Sequence, residues 1–398
     1  MYKSSVYSTL FLLWLGHLLV DFMIGIWPVY KTIAHLDLAI AGLISGVAAL
    51  VGEGLQVVFG SLSDRGYGKI LILGGLAATV ASAFLAYTQD YLFLFFLFSL
   101  TCLGSGAFHP CAVALLGNLT ADRKGLFITI FWSGGALGLA FSQLVFSGTY
   151  RLLSGNVVWL AIPTFMLISA ILIFGFAQAS PRPNQSTKKH KFATIGRFFL
   201  RQDLTLLYVS QLCNQTVAWA TVFLLPDILI SRGYVDWVAL GGGHLFYVLG
   251  AALMMVPAGY LADKYSCKAV VVSANVMGFI LLYTLLLTPE IPLLALLPML
   301  LLLGAASGVV SPVQVAFGNR LVPDDPGLIS AFLMGLVWCV AEGLGQGGGG
   351  LLTKYFESDS PAKALGCVGV CLLIGMTAAM RLPGKAEPQE SVLDVVNN

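Results

Sequence analysis

Charge is scarce in this chain. Only 10% of its 398 residues are Asp, Glu, Lys or Arg, while 58% are hydrophobic; a soluble domain carries roughly 25% charged residues. So little charge cannot cover a water-facing surface, and a soluble globular protein is excluded. The net charge of +2 points to no partner, and no nucleic acid is expected. The seven cysteines (Cys102, Cys111, Cys213, Cys267, Cys339, Cys367 and Cys371) show no C-x-x-C spacing. They read as small packing residues, not as a disulfide or zinc framework. A Gly-x-Ser-x-Gly elbow, a His-Glu-x-x-His helix and a phosphate-cradling loop with Lys are all missing, so no enzyme and no cofactor are expected. The first apolar run carries His17 and Asp21 and has no small-residue cleavage site, so it is not read as a cleaved signal peptide.

What the chain does have is apolar runs of about 20 residues, the length that crosses a bilayer as a helix. Twelve are expected: 8–29, 38–60, 70–88, 91–117, 125–148, 156–178, 204–230, 237–261, 269–288, 291–317, 327–350 and 361–382. Runs this long exclude a transmembrane β-barrel, whose strands are about ten residues and alternate at period two.

The chain also repeats itself at about half its length. Gly60-Ser61-Leu62-Ser63-Asp64-Arg65 with Lys69 returns as Gly259-Tyr260-Leu261-Ala262-Asp263-Lys264 with Lys268. Ser105-Gly106 and Pro110 return as Ser307-Gly308 and Pro312, and Asp122 and Gly125 as Asp324 and Gly327. Duplicated punctuation in a hydrophobic chain implies two pseudo-symmetric halves, the architecture of secondary transporters. The expected organisation is an all-α membrane protein with a six-helix bundle at 1–180, a basic linker at 181–203, a second bundle at 204–384 and a tail at 385–398. With both termini in the cytoplasm, Lys31, Arg151, Arg232, Lys354 and Lys363 fall outside and the other 16 of the 21 Lys and Arg fall inside. That is the positive-inside pattern.

The paired loops Gly60-x-Leu62-x-Asp64-Arg65-x-x-x-Lys69 and Gly259 to Lys268 resemble the signature loop of the major facilitator superfamily. The resemblance implies that Gly60, Asp64, Arg65, Lys69, Gly259, Asp263, Lys264 and Lys268 form gating loops that hold the cytoplasmic side shut. His17-x-x-x-Asp21 followed by Pro28, together with Phe108-His109-Pro110, resembles that superfamily's fosmidomycin-resistance branch of efflux proteins, which implies export.

Ionisable residues inside a membrane are expensive and normally face a cavity, a partner or a proton path. The buried set read from the sequence is Asp21, Glu53 and Glu342 with His17 and His109. His17 and Asp21, four apart, share one helix face and form the expected proton-coupling pair, with Glu53 and Glu342 as further coupling candidates. His109, Phe108, Trp132, Asn214, Gln215, Trp219, Gln314 and Trp338 are expected to line the substrate pocket. Asp227 reads as a solvated helix cap. No metal site is assigned. Proton-coupled uptake by the same fold is one rival reading and a transition-metal carrier is another; His17, Asp21, His109 and Cys111 are metal-ligand types, although nothing in the sequence brings them together. A non-transporting membrane sensor is the rival from another class. The expected molecule is a monomeric, proton-coupled carrier of a small organic solute in the plasma (inner) membrane, working by alternating access from a central pocket.

Overall fold

The computed structural model describes residues 5–119, 124–177, 196–322, 328–329, 331–356 and 360–383. The linker through 195, the tail, and Asp122, Asp324 and Gly327 of the repeat lie outside the described residues. Every element among the described residues is helical. In lipid no water satisfies a backbone N–H or C=O, and a helix satisfies them within its own segment.

By length and composition, nine helical stretches can cross a membrane. One of them, Leu38–Tyr87, is 50 residues long, enough for two crossings at about 20 residues each. It turns at Gly66, whose φ of 97° lies in the left-handed region that glycine enters without a Cβ clash. The shorter apolar helix Val158–Phe174 and the helical stretch 331–352 complete twelve. In chain order they are α1 Val6–Ile33, α2 38–62, α3 68–87, α4 Tyr91–Leu119, α5 Lys124–Leu152, α6 Val158–Phe174, α7 Gln202–Ser231, α8 Val238–Lys264, α9 Cys267–Leu287, α10 Leu293–Leu321, α11 331–352 and α12 Ser360–Met380.

Short polar residues begin several of these helices by accepting from otherwise orphaned N–H groups. Asp37 takes Ala39 and Ile40 at 3.0 and 2.9 Å ahead of α2, and Ser266 takes Ala269 at 3.0 Å ahead of α9. The first run extends further than its composition suggests. After Gly25, α1 resumes at Trp27–Ile33 with Pro28 in its first turn, where proline's missing N–H does no harm. That extension carries Lys31 into the helix.

Contacts divide the chain into two compact units, Met1–Gln185 with Phe223–Leu245, and Ser186–Val222 with Phe246–Asn398. The second part of α7 and the start of α8 thus group with the first unit, where Asp227 meets Lys31 and His244 meets Leu139. Leu13, Phe108, Phe131 and Leu116 centre the first unit's core. Phe198, Leu204, Val310 and Phe332 centre the second. Large side chains such as Leu92, Leu152 and Leu294 point outward, as a lipid-facing surface requires.

Candidate functional site

α1 and α5 approach closely along a stripe of glycines. A Cβ at Gly134 would strike the backbone of Trp14, and one at Gly138 the backbone of Leu18. Between them, a Cβ on Gly135 would collide with His17 Nε2 and Asp21 Oδ2. Small residues four apart let helices meet backbone to backbone, and here that spacing leaves room for two polar side chains at the seam.

His17 is fully buried. Its ring stacks on Phe131 at 4.1 Å and meets Trp132 edge-on at 5.5 Å. Nδ1 lies 2.8 Å from the Phe131 carbonyl. A carbonyl oxygen only accepts, so Nδ1 carries the proton and Nε2 is left facing Asp21 Oδ2 at 3.3 Å. His109, one residue before Pro110 on α4, does the same from the other side. Its Nδ1 donates to the Ser105 carbonyl at 3.0 Å, and its Nε2 sits 3.2 Å from Asp21 Oδ1. Asp21 therefore stands between two imidazoles, one on each oxygen, with about a fifth of its side chain still exposed.

The network continues to α2. The Ser105 hydroxyl lies 3.1 Å from His109 Nδ1 and donates to Glu53 Oε1 at 3.1 Å. Gln56 donates to the other oxygen of Glu53. Four of the expected residues, His17, Asp21, His109 and Glu53, are thus joined in one chain of polar contacts through Ser105, a residue of the repeat that was not among the site candidates. Its signal is the i, i+4 step to His109. Phe108 is wholly buried in the core against His17 and Phe131, and Trp132 is half-buried beside His17.

The remaining candidates belong to the second unit. Glu342 is buried on α11, immediately before the π-helical turn Gly343–Gly348. Asn214 is buried and donates to Asn275 at 3.4 Å, and Gln215 and Gln314 are buried as well. Trp219 is half-buried against Gly345, and Trp338 packs on the unit's core. Gln211, not anticipated, donates to Ser311 Oγ and to the Leu333 carbonyl at 2.9 and 2.7 Å.

At the loops, Gly60 packs toward Pro110 while Asp64, Arg65 and Lys69 are exposed. In the second copy Gly259 is half-buried and Asp263 pairs with Arg320 at the end of α10. Lys264 lies 5.4 Å over the Tyr265 ring, and Lys268 is half-buried.

Two expectations need correction. Lys31, expected in an external loop, is a fully buried helix residue. Asp227, expected as a solvated cap, accepts from Lys31 and, at 2.9 Å, from Thr32. Lys31 also lies 4.6 Å over the Phe223 ring. An ammonium without access to water must be paired, and Asp227 is the group that does so. His244 was also overlooked. It is buried and donates through Nε2 to the Leu139 carbonyl at 2.8 Å.

The sequence profile of the Major Facilitator Superfamily matches residues 9–346 and 207–392. The chain is 24% identical over 293 residues to the multi-drug resistance efflux pump PmrA of Streptococcus pneumoniae, covering 71% of each protein. It is 27% identical over 354 residues to the multidrug resistance protein MdtH of Aeromonas salmonicida, covering 84% of this chain and 85% of that one. Among solved structures, a bacterial homologue of the human lysosomal transporter Spinster superposes with a TM-score of 0.80 at 14% identity, covering 96% and 97% of the two chains. The nucleoside transporter NupG does so with a TM-score of 0.78 at 12% identity, covering 94% and 99%. With its profile matched over nearly its whole length and its fold shared with transporters, this chain belongs to the major facilitator superfamily and is a transporter, not an enzyme.

Proposed function

We propose that the protein is a proton-coupled exporter of small organic solutes, working by alternating access as a monomer in the inner membrane. The observation that carries this reading is the placement of Asp21 between His17 and His109, with a hydrogen-bonded path through Ser105 to Glu53. With Nδ1 of each imidazole committed to a carbonyl, each Nε2···Oδ contact holds together only when a cation stands in it, and a proton is the smallest. The path can reverse its polarity. Starting from the other tautomer of His109, with the proton on Nε2 and Nδ1 able to accept from Ser105, a proton arriving on Glu53 is donated to Ser105 Oγ, the serine proton moves to His109 Nδ1, and the proton on Nε2 passes to Asp21 Oδ1, which leaves His109 with its proton on Nδ1 facing the Ser105 carbonyl. Neutralising Asp21 loosens its hold on both imidazoles, and ionising it restores that hold. Such a charge change can bias a two-state element.

Export is supported by the likeness to PmrA and MdtH, both named for drug resistance or efflux. The finer resemblance to the fosmidomycin-resistance branch rests on His17, Asp21, Phe108, His109 and Pro110. A cytoplasmic location of both termini, and bundles at 1–180 and 204–384, are supported by the split of the 21 Lys and Arg, 16 inside against four outside once Lys31 is placed within its helix, and by the repeat.

The test is transport of a lipophilic cationic dye into proteoliposomes under an imposed pH gradient. Asp21→Asn preserves shape and forbids the charge change. Gradient-driven accumulation should fail while dye-for-dye exchange survives. Wild-type accumulation by Asp21→Asn overturns the assignment of coupling to this cluster.

A further inference from the structure

We propose that His17, Asp21 and His109 also form a binding site for one divalent transition-metal ion of the zinc class. The donor set is two imidazole nitrogens and a carboxylate, which suits zinc and its first-row neighbours and not the all-oxygen preference of magnesium or calcium. The cluster's candidate ligand atoms all lie within 4.8 Å of one another. The two histidine-to-aspartate separations are 3.3 and 3.2 Å. Bonds of about 2.0–2.1 Å to a tetrahedral ion place ligand atoms ~3.3 Å apart. Each histidine therefore already stands at tetrahedral edge length from one oxygen of Asp21, His17 from Oδ2 and His109 from Oδ1, and with one oxygen as the ligand the remaining separations need to close by at most about 1.5 Å.

The outer shell is built as well. In metal sites a ligating histidine almost always gives its other N–H to a carbonyl or carboxylate, which fixes the tautomer. Here His17 Nδ1 donates to the Phe131 carbonyl and His109 Nδ1 to the Ser105 carbonyl, so both lone pairs point at Asp21. His17 Nε2 is buried and makes no hydrogen bond among the described residues, although its side chain is wholly inaccessible. An orphaned imidazole nitrogen aimed at a carboxylate is a nitrogen that can serve as a metal ligand. His17 is sealed, whereas Asp21 and His109 keep 22% and 17% of their side chains exposed. That arrangement gives three protein ligands and an open fourth position, the layout of a zinc site that exchanges its last ligand. Among the described residues this is the one group of three such ligands, and Gln215 stands near the repeat equivalent of His17, so the proposed stoichiometry is one ion per chain.

The ion competes with protons for the same atoms. Glu53, reached through Ser105, is the other titratable group on the cluster.

The experiment is calorimetric titration of the full-length protein in detergent with Zn2+ at pH 7.5, its thiols alkylated beforehand so that the seven cysteines do not compete. One ion should bind per chain. His17→Gln and His109→Gln should each weaken binding by at least the 10–100-fold that loss of an outer-shell partner causes, with metal-free thermal midpoints recorded to confirm folding. X-ray absorption of zinc on the unsubstituted protein needs no variant. It should show imidazole nitrogen and oxygen at about 2.0–2.1 Å and no sulfur at about 2.3 Å. No saturable binding, unchanged affinity in the folded His17→Gln/His109→Gln double variant, or a sulfur shell each overturns the proposal. Because the readout is binding, its failure leaves the proton-coupling reading standing, and loss of gradient-driven transport in Asp21→Asn leaves this one standing.

Discussion

Removing the carboxylate of Asp227 leaves Lys31 in a site built for an ion pair. The Lys31 side chain has no exposed surface and that of Asp227 only 13%. The ammonium's other neighbours are Thr32 Oγ1 at 3.0 Å and the Phe223 ring, neither of which neutralises it. Breaking a buried pair from one side costs about 3–5 kcal/mol, or roughly two to three and a half powers of ten in an equilibrium at 1.4 kcal/mol per tenfold. Asp227→Ala escapes that penalty by unfolding or by letting the ends of α1 and α7 part so that Lys31 meets water. Both are measurable in detergent: the first as a lowered thermal midpoint, the second as faster maleimide labelling of Val29→Cys, a position with no exposure in the native protein. Lys31→Met should behave alike, because it strands the carboxylate. The double variant Lys31→Met/Asp227→Leu should recover the midpoint, since an apolar replacement of a buried pair is often neutral or stabilising. The reasoning is refuted if both single variants match the native midpoint and labelling rate, or if the double variant is no better than the worse single.

Other substitutions probe the seam and the loops. Gly135→Ala places a methyl against His17 and Asp21 and should lower stability by about 1–3 kcal/mol while abolishing gradient-driven transport. Gly148→Ala, on the same helix with nothing within 4 Å of its added Cβ, should be neutral or stabilising by up to ~1 kcal/mol in the same unfolding and transport assays. Ser105→Ala breaks the path between Glu53 and His109 and should slow proton-driven transport with little change in dye-for-dye exchange; equal rates in both assays remove Ser105 from the path. Asp64→Asn should impair transport more than folding and raise cysteine labelling of the cytoplasmic vestibule, and normal transport with unchanged labelling reduces that loop to a topology anchor.

Much of the fold is legible in composition. Twelve apolar runs of bilayer length can only become helices in lipid, and the expected limits agree with the observed ones to within a few residues for most helices. The first run is the instructive exception. Pro28 and Lys31 look like an ending, yet Pro28 sits in a first turn that tolerates it, and the charge enters the helix because Asp227, 196 residues away, neutralises it. A signal was available: one cation and one anion near corresponding ends of α1 and α7, helices that the repeat makes equivalent. The site was half legible. The four-residue step from His17 to Asp21 is local, so periodicity reveals it. The approach of His109 depends on α4 lying against α1, with Phe108 against Gly16, a contact between segments about 90 residues apart that no local pattern encodes. The Gly134-Gly135 pair carries no polar group to draw attention to it in the sequence, and only the position of α1 explains what its missing side chains make room for.

The central claim is that Asp21 exchanges a proton as solute is carried. It is tested most directly by binding the cationic dye to purified protein calorimetrically in buffers of different ionisation enthalpy. The account predicts that dye binding to the native protein changes the number of bound protons by about one, from single-site exchange at one carboxylate, and that Asp21→Asn binds the dye with no proton change. Native binding without proton exchange, or undiminished exchange in Asp21→Asn, contradicts it.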